Sequence, residues 1–345
     1  MKKARLIYNP SSGRETAGRN IAYILDRLED AGYEASARAT KGKGDAFKAA
    51  RKAVRRQFDL VIAAGGDGTV NEVVSGLAEQ DGRPRLGVLP LGTTNDFARS
   101  VGIPRDITKA CDILCGGAEM AIDVGKVTFS VPQRLGHRVP LVPVGGKVDH
   151  RYFINIAGGG RLTELTYDVP SKLKTMLGQL AYYIKGIEML PSIRPVEVTI
   201  HYDDHVFSGN MMMFLISNTN SVGGFEKLAP DASLSDGRFD LIILKEANLP
   251  EFARLVSLAT RGEHLKDSKI IYAQASRISV HVDEELQLNI DGEYGGCLPG
   301  EVTNLPRHLQ LLVPTDVLET RFLAGGTDTS ASGAHESGSP TNGCE

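Results

Sequence analysis

The chain has 345 residues, 41% hydrophobic and 23% charged, with 39 Lys/Arg against 42 Asp/Glu for a formal net charge of −3. That length predicts two domains, each able to bury a core without staples, and the charge balance argues against a general nucleic-acid binder, so no nucleic-acid partner is expected. No apolar run approaches the about 18 residues that span a bilayer, and Met1-Lys2-Lys3-Ala4-Arg5 leads directly into a strand without a signal-peptide core, so a cytoplasmic chain with at most peripheral membrane contact is expected.

Leu6-Ile7-Tyr8 reads as a strand closed by the turn cluster Asn9-Pro10-Ser11-Ser12-Gly13, whose hydroxyls and amides can face an anion. Ile21, Ile24, Leu25 and Leu28 mark a helix that stops at Gly32; Tyr33 to Ala39 is a second strand, Asp45 to Arg55 a helix and Leu60 to Ala64 a third, buried strand. Residues 1–60 hold fourteen Lys/Arg against seven Asp/Glu. That excess suits a polyanionic ligand or an anionic membrane, and a solvated helix face around Arg51, Lys52, Arg55 and Arg56 accounts for it equally.

Next comes Gly65-Gly66-Asp67-Gly68-Thr69-Val70-Asn71-Glu72, with Val70, Val73, Val74 and Leu77 at helical spacing. A strand delivers the chain to glycines that let backbone approach a ligand, and the following helix N-terminus would face an anion. Asp67 is awkward there: beside a phosphate it needs a cation or a ligand hydroxyl, and a helix-capping aspartate in an ordinary turn is the alternative. Leu86 to Pro90 is a fourth strand, followed by Leu91-Gly92-Thr93-Thr94-Asn95-Asp96-Phe97 and a helix from Ile107 to Leu114. This alternation implies a doubly wound parallel sheet with the turns after Tyr8, Ala64 and Leu89 on one edge, where such sheets bind ligands. The cysteines at 111, 115, 297 and 344 lack zinc spacing and read as free thiols.

From about residue 122 strand candidates dominate, at 122–129, 152–157, 195–202, 206–217, 237–244, 277–283, 286–291 and 309–313, with helices at 172–190 and 249–261, which predicts a mostly antiparallel β domain. Asn155-Ile156-Ala157-Gly158-Gly159-Gly160 reads more readily as a bulge or connection than as a site. Residues 130–149 read as a loop or extended hairpin, and the Gly/Ser/Thr-rich tail from Gly325 as disordered. Asp236, in the turn preceding Gly237-Arg238-Phe239, is a candidate ligand for a hard cation, or simply part of a turn into a strand. Asp291 ends the strand Leu288-Asn289-Ile290, where a carboxylate can take a proton from a hydroxyl, or simply form an Asp-Gly hairpin beside a solvated Glu293.

Taken together, Asn9 to Gly13, Gly66 to Glu72, Pro90 to Arg99 and Asn289-Ile290-Asp291-Gly292-Glu293 resemble, in order and spacing, the diacylglycerol kinase catalytic family, which includes sphingosine kinases and other bacterial lipid kinases. The resemblance runs from about residue 3 to 322. Glu164 to Lys174, followed by Leu180-Ala181-Tyr182-Tyr183, is similar to the soluble bacterial members.

The resemblance implies an N-terminal α/β ATP-binding domain over 1–123, joined by a returning segment 305–323, a β-sandwich lipid and Mg²⁺ domain over 124–304, and a disordered tail over 324–345. It implies ATP contacts by Asn9, Pro10, Ser11, Ser12, Gly13, Thr40, Gly66, Asp67, Gly68, Thr69, Val70, Asn71, Glu72 and Thr93. Asp291 is the implied proton acceptor, with Asp67 and Glu293 at the catalytic Mg²⁺. A structural Mg²⁺ is implied on Asp236 and backbone oxygens of Ser233 and Arg238, and anionic-lipid contacts on Lys172 and Lys174, whose other reading is solvated helix positions. Also implied are transfer of the ATP γ-phosphoryl to diacylglycerol, giving phosphatidic acid and ADP, peripheral association with the inner face of the membrane, and a homodimer. The rival readings are a kinase of another lipid alcohol, an NAD kinase sharing the Gly-Gly-Asp-Gly-Thr turn, and a catalytically silent nucleotide-binding membrane module.

Overall fold

A computed structural model describes residues 1–12, 16–130, 150–164, 194–220 and 228–317. The predicted helix at 172–190, nearly all of the 130–149 stretch and the tail lie outside the described residues.

The first part alternates as its periodicity predicts. In chain order it holds β1 (Lys2–Tyr8), α1 (Thr16–Asp30), β2 (Tyr33–Ala39), α2 (Asp45–Arg55), β3 (Leu60–Gly65), α3 (Asp67–Leu77), β4 (Arg85–Pro90), α4 (Asp96–Ser100) and α5 (Ile107–Gly116). The strands run parallel in the order β2-β1-β3-β4. Every residue of β3 is buried, as expected of a central parallel strand covered on both faces. α2 and α3 pack closely because Gly76 has no side chain; a Cβ there would lie 2.6 Å from the Phe47 carbonyl oxygen.

The second part is antiparallel and has its own apolar core, built from residues such as Phe153, Phe214, Phe239, Leu288 and Val302. Its elements are β5 (Ala118–Phe129), β6 (His150–Phe153), β7 (Ile156–Gly159), α6 (Arg161–Glu164), β8 (Val196–Tyr202), β9 (His205–Ser217), β10 (Phe239–Lys245), α7 (Leu249–Arg261), β11 (Ile270–Ala275), β12 (Arg277–His281), β13 (Leu286–Ile290), β14 (Glu293–Leu298) and β15 (Gly300–Val313). α7 starts on a capping box in which Asn248 and Glu251 satisfy each other's amides.

Two expectations need correction, and two further strands go unpredicted by the sequence pattern. The candidate at 152–157 is two strands, because the chain bends at Ile154-Asn155 and turns its amides elsewhere. β11 and β14 lack a clear strand signature: β11 is half-buried along most of its length, and Gly295-Gly296 in β14 mimic a turn. β15 is not the short strand at 309–313 but fourteen residues long, its middle disguised by Pro306 and a register shift between Leu305 and Leu309. It pairs with β5 along its length, with β12 through Gly300 to Thr303, and with β4 in parallel at Leu311, so it ties the two sheets into one path.

Candidate active site

Parallel register brings Tyr8, Ala64 and Leu89 level, so the turns that follow them share one edge. The Asn9 amide donates to the Ala64 carbonyl (3.0 Å), the Thr40 amide to Tyr8 (2.9 Å) and the Leu91 amide to Gly65 (3.0 Å). The Asn9 carboxamide oxygen then accepts from the Ser11 amide (3.1 Å) and hydroxyl (2.8 Å), closing an Asx turn. Gly92 is required where two turns meet: a Cβ there would sit 2.4 Å from the Gly66 Cα, closer than any side chain can approach.

Below this edge lies a cavity of about 510 Å³ whose lining includes Asn9, Pro10, Ser11, Ser12, Thr40, Gly66, Gly68, Thr69, Asn71, Glu72, Asp291 and Glu293, all singled out in the sequence. Three other predicted contacts stand elsewhere. Val70 is buried in the core and its amide donates to the Gly66 carbonyl, so it supports the turn. Thr93 is exposed outside the lining, its carbonyl held by Arg105 (2.6 Å). Asp67 is the first residue of α3, whose N-cap is Gly66 with no side-chain hydrogen bond, so it does not cap its own helix; its Oδ1 accepts the Phe97 amide at the start of α4 instead (3.2 Å), and among the described residues Oδ2 has no hydrogen-bond donor. Gly13, Lys172 and Lys174 lie outside the described residues.

Glu72 faces the cavity, but its carboxylate serves the protein: Oε1 accepts from the Gly44 amide (2.7 Å) and Oε2 from Ala46 (3.1 Å). α2 begins at a left-handed glycine with no side-chain cap of its own, and Glu72 supplies that cap from α3.

Asp291 sits at φ +47°, an uncommon conformation for a non-glycine residue. Its Oδ1 accepts from the Asn155 and Ile156 amides (both 2.9 Å); Oδ2 accepts from the Ile154 amide (3.0 Å) and from Asn71 Nδ2 (2.7 Å). Burial pushes its carboxyl above the usual range, and those four donors pull it back. The bend at Ile154-Asn155 therefore has a purpose that strand periodicity cannot display. Asn71 also donates to the Tyr152 carbonyl (3.0 Å), so α3 from the first part and β6, β7 and the end of β13 from the second converge on one carboxylate. Glu293 is exposed and pairs with Lys43 across the cavity mouth (3.1 Å). Lys41, Lys43, Gly44, Ser75, Arg151, Tyr152 and Tyr294 also line the cavity and were not singled out in the sequence; the two lysines, in a basic loop after β2, had a local signal in that charge bias.

Asp236 is remote from this lining. Its Oδ1 accepts from the Arg238 amide (3.0 Å), and its charge raises the carboxyl pKa of both buried Asp123 and buried Asp240, on top of burial itself. Among the described residues none of Asp123, Asp231, Asp236 and Asp240 makes an ion pair with lysine or arginine.

A diacylglycerol kinase catalytic domain model matches residues 3–127, and a YegS C-terminal NAD kinase beta sandwich-like domain model matches 166–313. Over 320 residues the chain is 59% identical to a diacylglycerol kinase of Bacillus subtilis (strain 168), covering 92% of this chain and 99% of that one. The chain belongs to the diacylglycerol kinase catalytic family. A diacylglycerol kinase of Staphylococcus epidermidis is 48% identical over 328 residues, covering 95% of this chain and 97% of the relative. The crystal structure of a diacylglycerol kinase from Bacillus anthracis str. Sterne shares the fold, with a TM-score of 0.68 at 24% identity over 92% of this chain and 98% of that one. Membership makes the chain a kinase with an α/β catalytic domain followed by a β-sandwich-like domain, and the silent-module reading falls. No helix among the described residues is long and apolar enough to cross a membrane.

Proposed function

We propose that the chain transfers the γ-phosphoryl of ATP to the primary hydroxyl of diacylglycerol, giving phosphatidic acid and ADP. The observation that carries this reading is one cavity lined by both the glycine and Asx turns and the carboxylate of Asp291. The turns at Asn9 to Ser12 and Gly66 to Thr69 offer hydroxyls and a helix N-terminus to the phosphates. The two oxygens of Asp291 already accept four hydrogen bonds, so it takes the hydroxyl proton on Oδ2 as the Asn71 side chain withdraws and the substrate oxygen attacks, and its burial makes it a stronger base than a solvated carboxylate.

The residues present suit a magnesium ion, which asks for only one or two carboxylates when phosphates supply the remaining ligands. Asp67 Oδ2 is the available donor beside the phosphate turn. Mg²⁺ held there would offset charge on the transferring phosphoryl group. Glu293 joins that set only by leaving Lys43. A second, structural Mg²⁺ on Asp236 with the Ser233 and Arg238 carbonyls would offset the unpaired acidic cluster around Asp123 and Asp240. Docking on an anionic bilayer through Lys172 and Lys174, and a homodimer, complete the proposal.

The test is Asp291→Asn assayed with labelled ATP against diacylglycerol, a sphingoid base and a glycolipid precursor. Turnover of diacylglycerol is expected to fall at least about 100-fold, the usual scale for losing a general base, with ADP binding retained. Wild-type-like turnover by the variant would sink the role of Asp291, and preference of the native chain for another alcohol would replace the substrate.

A further inference from the structure

Arg151 lies in β6, three residues before the bend at Ile154-Asn155 that serves Asp291, and lines the same cavity. Its register partner is Val127, and with Phe153 they share one face of the β5–β6 pair, against the second apolar core. The stem is therefore packed beside apolar groups, and Nε is buried with no hydrogen-bond partner. Among the described residues no carboxylate pairs with this guanidinium; Tyr294, also in the lining, is the ionisable group near enough to influence it, and burial works against its charge. Two nearby cations have a different arrangement: Lys43 in the lining is neutralised by Glu293, and Lys126 outside it by Glu79 (2.8 Å).

A guanidinium partly removed from water without a counter-charge costs free energy that an anion can return, and arginine's planar fork matches the oxygens of a phosphate group in two parallel bonds. The cavity it lines also holds Asp291 and the phosphate-facing turns, so a phosphoryl group would pass through it. We infer that Arg151 is a phosphate-binding residue of this cavity, receiving the phosphate dianion that is either the terminal phosphate of the nucleotide or the phosphomonoester of the product. This rests on the kinase reading above, and it assigns Arg151 a task that none of the glycine turns performs, because they sit on the first domain's sheet edge and Arg151 on the second's.

The experiment compares the native chain with Arg151→Gln and Arg151→Lys, using calorimetric titration with ADP and with a non-hydrolysable ATP analogue, and product inhibition by phosphatidic acid in mixed micelles. ADP affinity is expected to stay within twofold in both variants, which also shows that they fold. If the terminal phosphate of the nucleotide is the ligand, Arg151→Gln weakens the ATP analogue about tenfold, the order expected for one charge-assisted pair, and Arg151→Lys recovers part of it. If the product phosphate is the ligand, the analogue is unaffected and product inhibition weakens by a similar factor. Unchanged binding of both overturns the inference. Failure of the native chain to bind any nucleotide would instead overturn the kinase reading beneath it.

Discussion

Glu72 shows how little a motif says about the task of each of its members. Its place in Gly66-Asp67-Gly68-Thr69-Val70-Asn71-Glu72 suggests a ligand contact, yet both carboxylate oxygens are taken by amides at the start of α2. Glu72→Ala is expected to cost about 1 kcal/mol in urea denaturation, the usual loss of a helix cap, and to raise the nucleotide KM severalfold as the loop from Thr40 to Gly44 loosens. Glu72→Gln, which keeps one acceptor, should lie between. Unchanged stability of the alanine variant would mean that the cap is idle. Asn71 was legible as a motif residue but not as the side-chain donor to Asp291, because its partner lies 220 positions away and no local pattern connects them. Asp67 does not cap the helix it opens: its Oδ1 takes the Phe97 amide of α4, a partner 30 positions away that no local pattern indicates.

At the scale of elements, α3 matters through its C-terminal end as much as through its glycine turn. Just beyond it, Glu79 accepts from Lys126 of β5 (2.8 Å) and from the Tyr152 hydroxyl of β6, while Asn71 near the start of α3 holds the Tyr152 carbonyl. Tyr152 is thus gripped at both its backbone and its ring, and β6 is kept in register with α3. The Lys126 ammonium and Tyr152 hydroxyl hold the Glu79 carboxyl below its usual range, against the effect of burial. Because Glu79 is partly solvated, Glu79→Gln is expected to cost only about 1 kcal/mol. A severalfold fall in kcat with little change in nucleotide KM should accompany it, since the grip controls the approach of Asp291 and not the phosphate turns. A change in KM alone, in steady-state kinetics, would contradict this. Strand assignments failed where the element serves another element: the 154–156 bend, Gly-rich β14, and β15 with Pro306 all depart from period-two alternation to meet partners from distant sequence.

The whole molecule depends on keeping polar groups neutral where its parts meet. His308 of β15 accepts the Glu79 amide through Nε2 (2.9 Å), which requires an unprotonated ring nitrogen. Burial, with Arg83 and Lys126 nearby, holds its pKa below the ordinary histidine range. Histidine in the unfolded chain takes up a proton near about 6.5, so the unfolded state binds more protons below that pH and stability falls on acidification toward the lowered folded value. The buried carboxyls of Asp123 and Asp240, raised by burial, act in the opposite sense, losing stability as pH rises out of the carboxylate range. The difference between variants isolates the histidine: His308→Gln, whose amide oxygen can still accept, should gain stability relative to the native chain as pH falls from about 7 to 5. A pH-independent difference in thermal melting would refute it. By itself the sequence determined the alternating α/β half, the antiparallel half, the shared edge of the turns and the residue types of a phosphate-transfer site, because hydrophobic period and glycine placement are local properties. Only the tertiary structure decided that the Glu72 carboxylate caps α2, and that Asp291 receives three backbone donors and Asn71 at once. Those contacts join residues far apart in the chain, and burial and charge compensation are properties of the packed molecule, carried by no single segment.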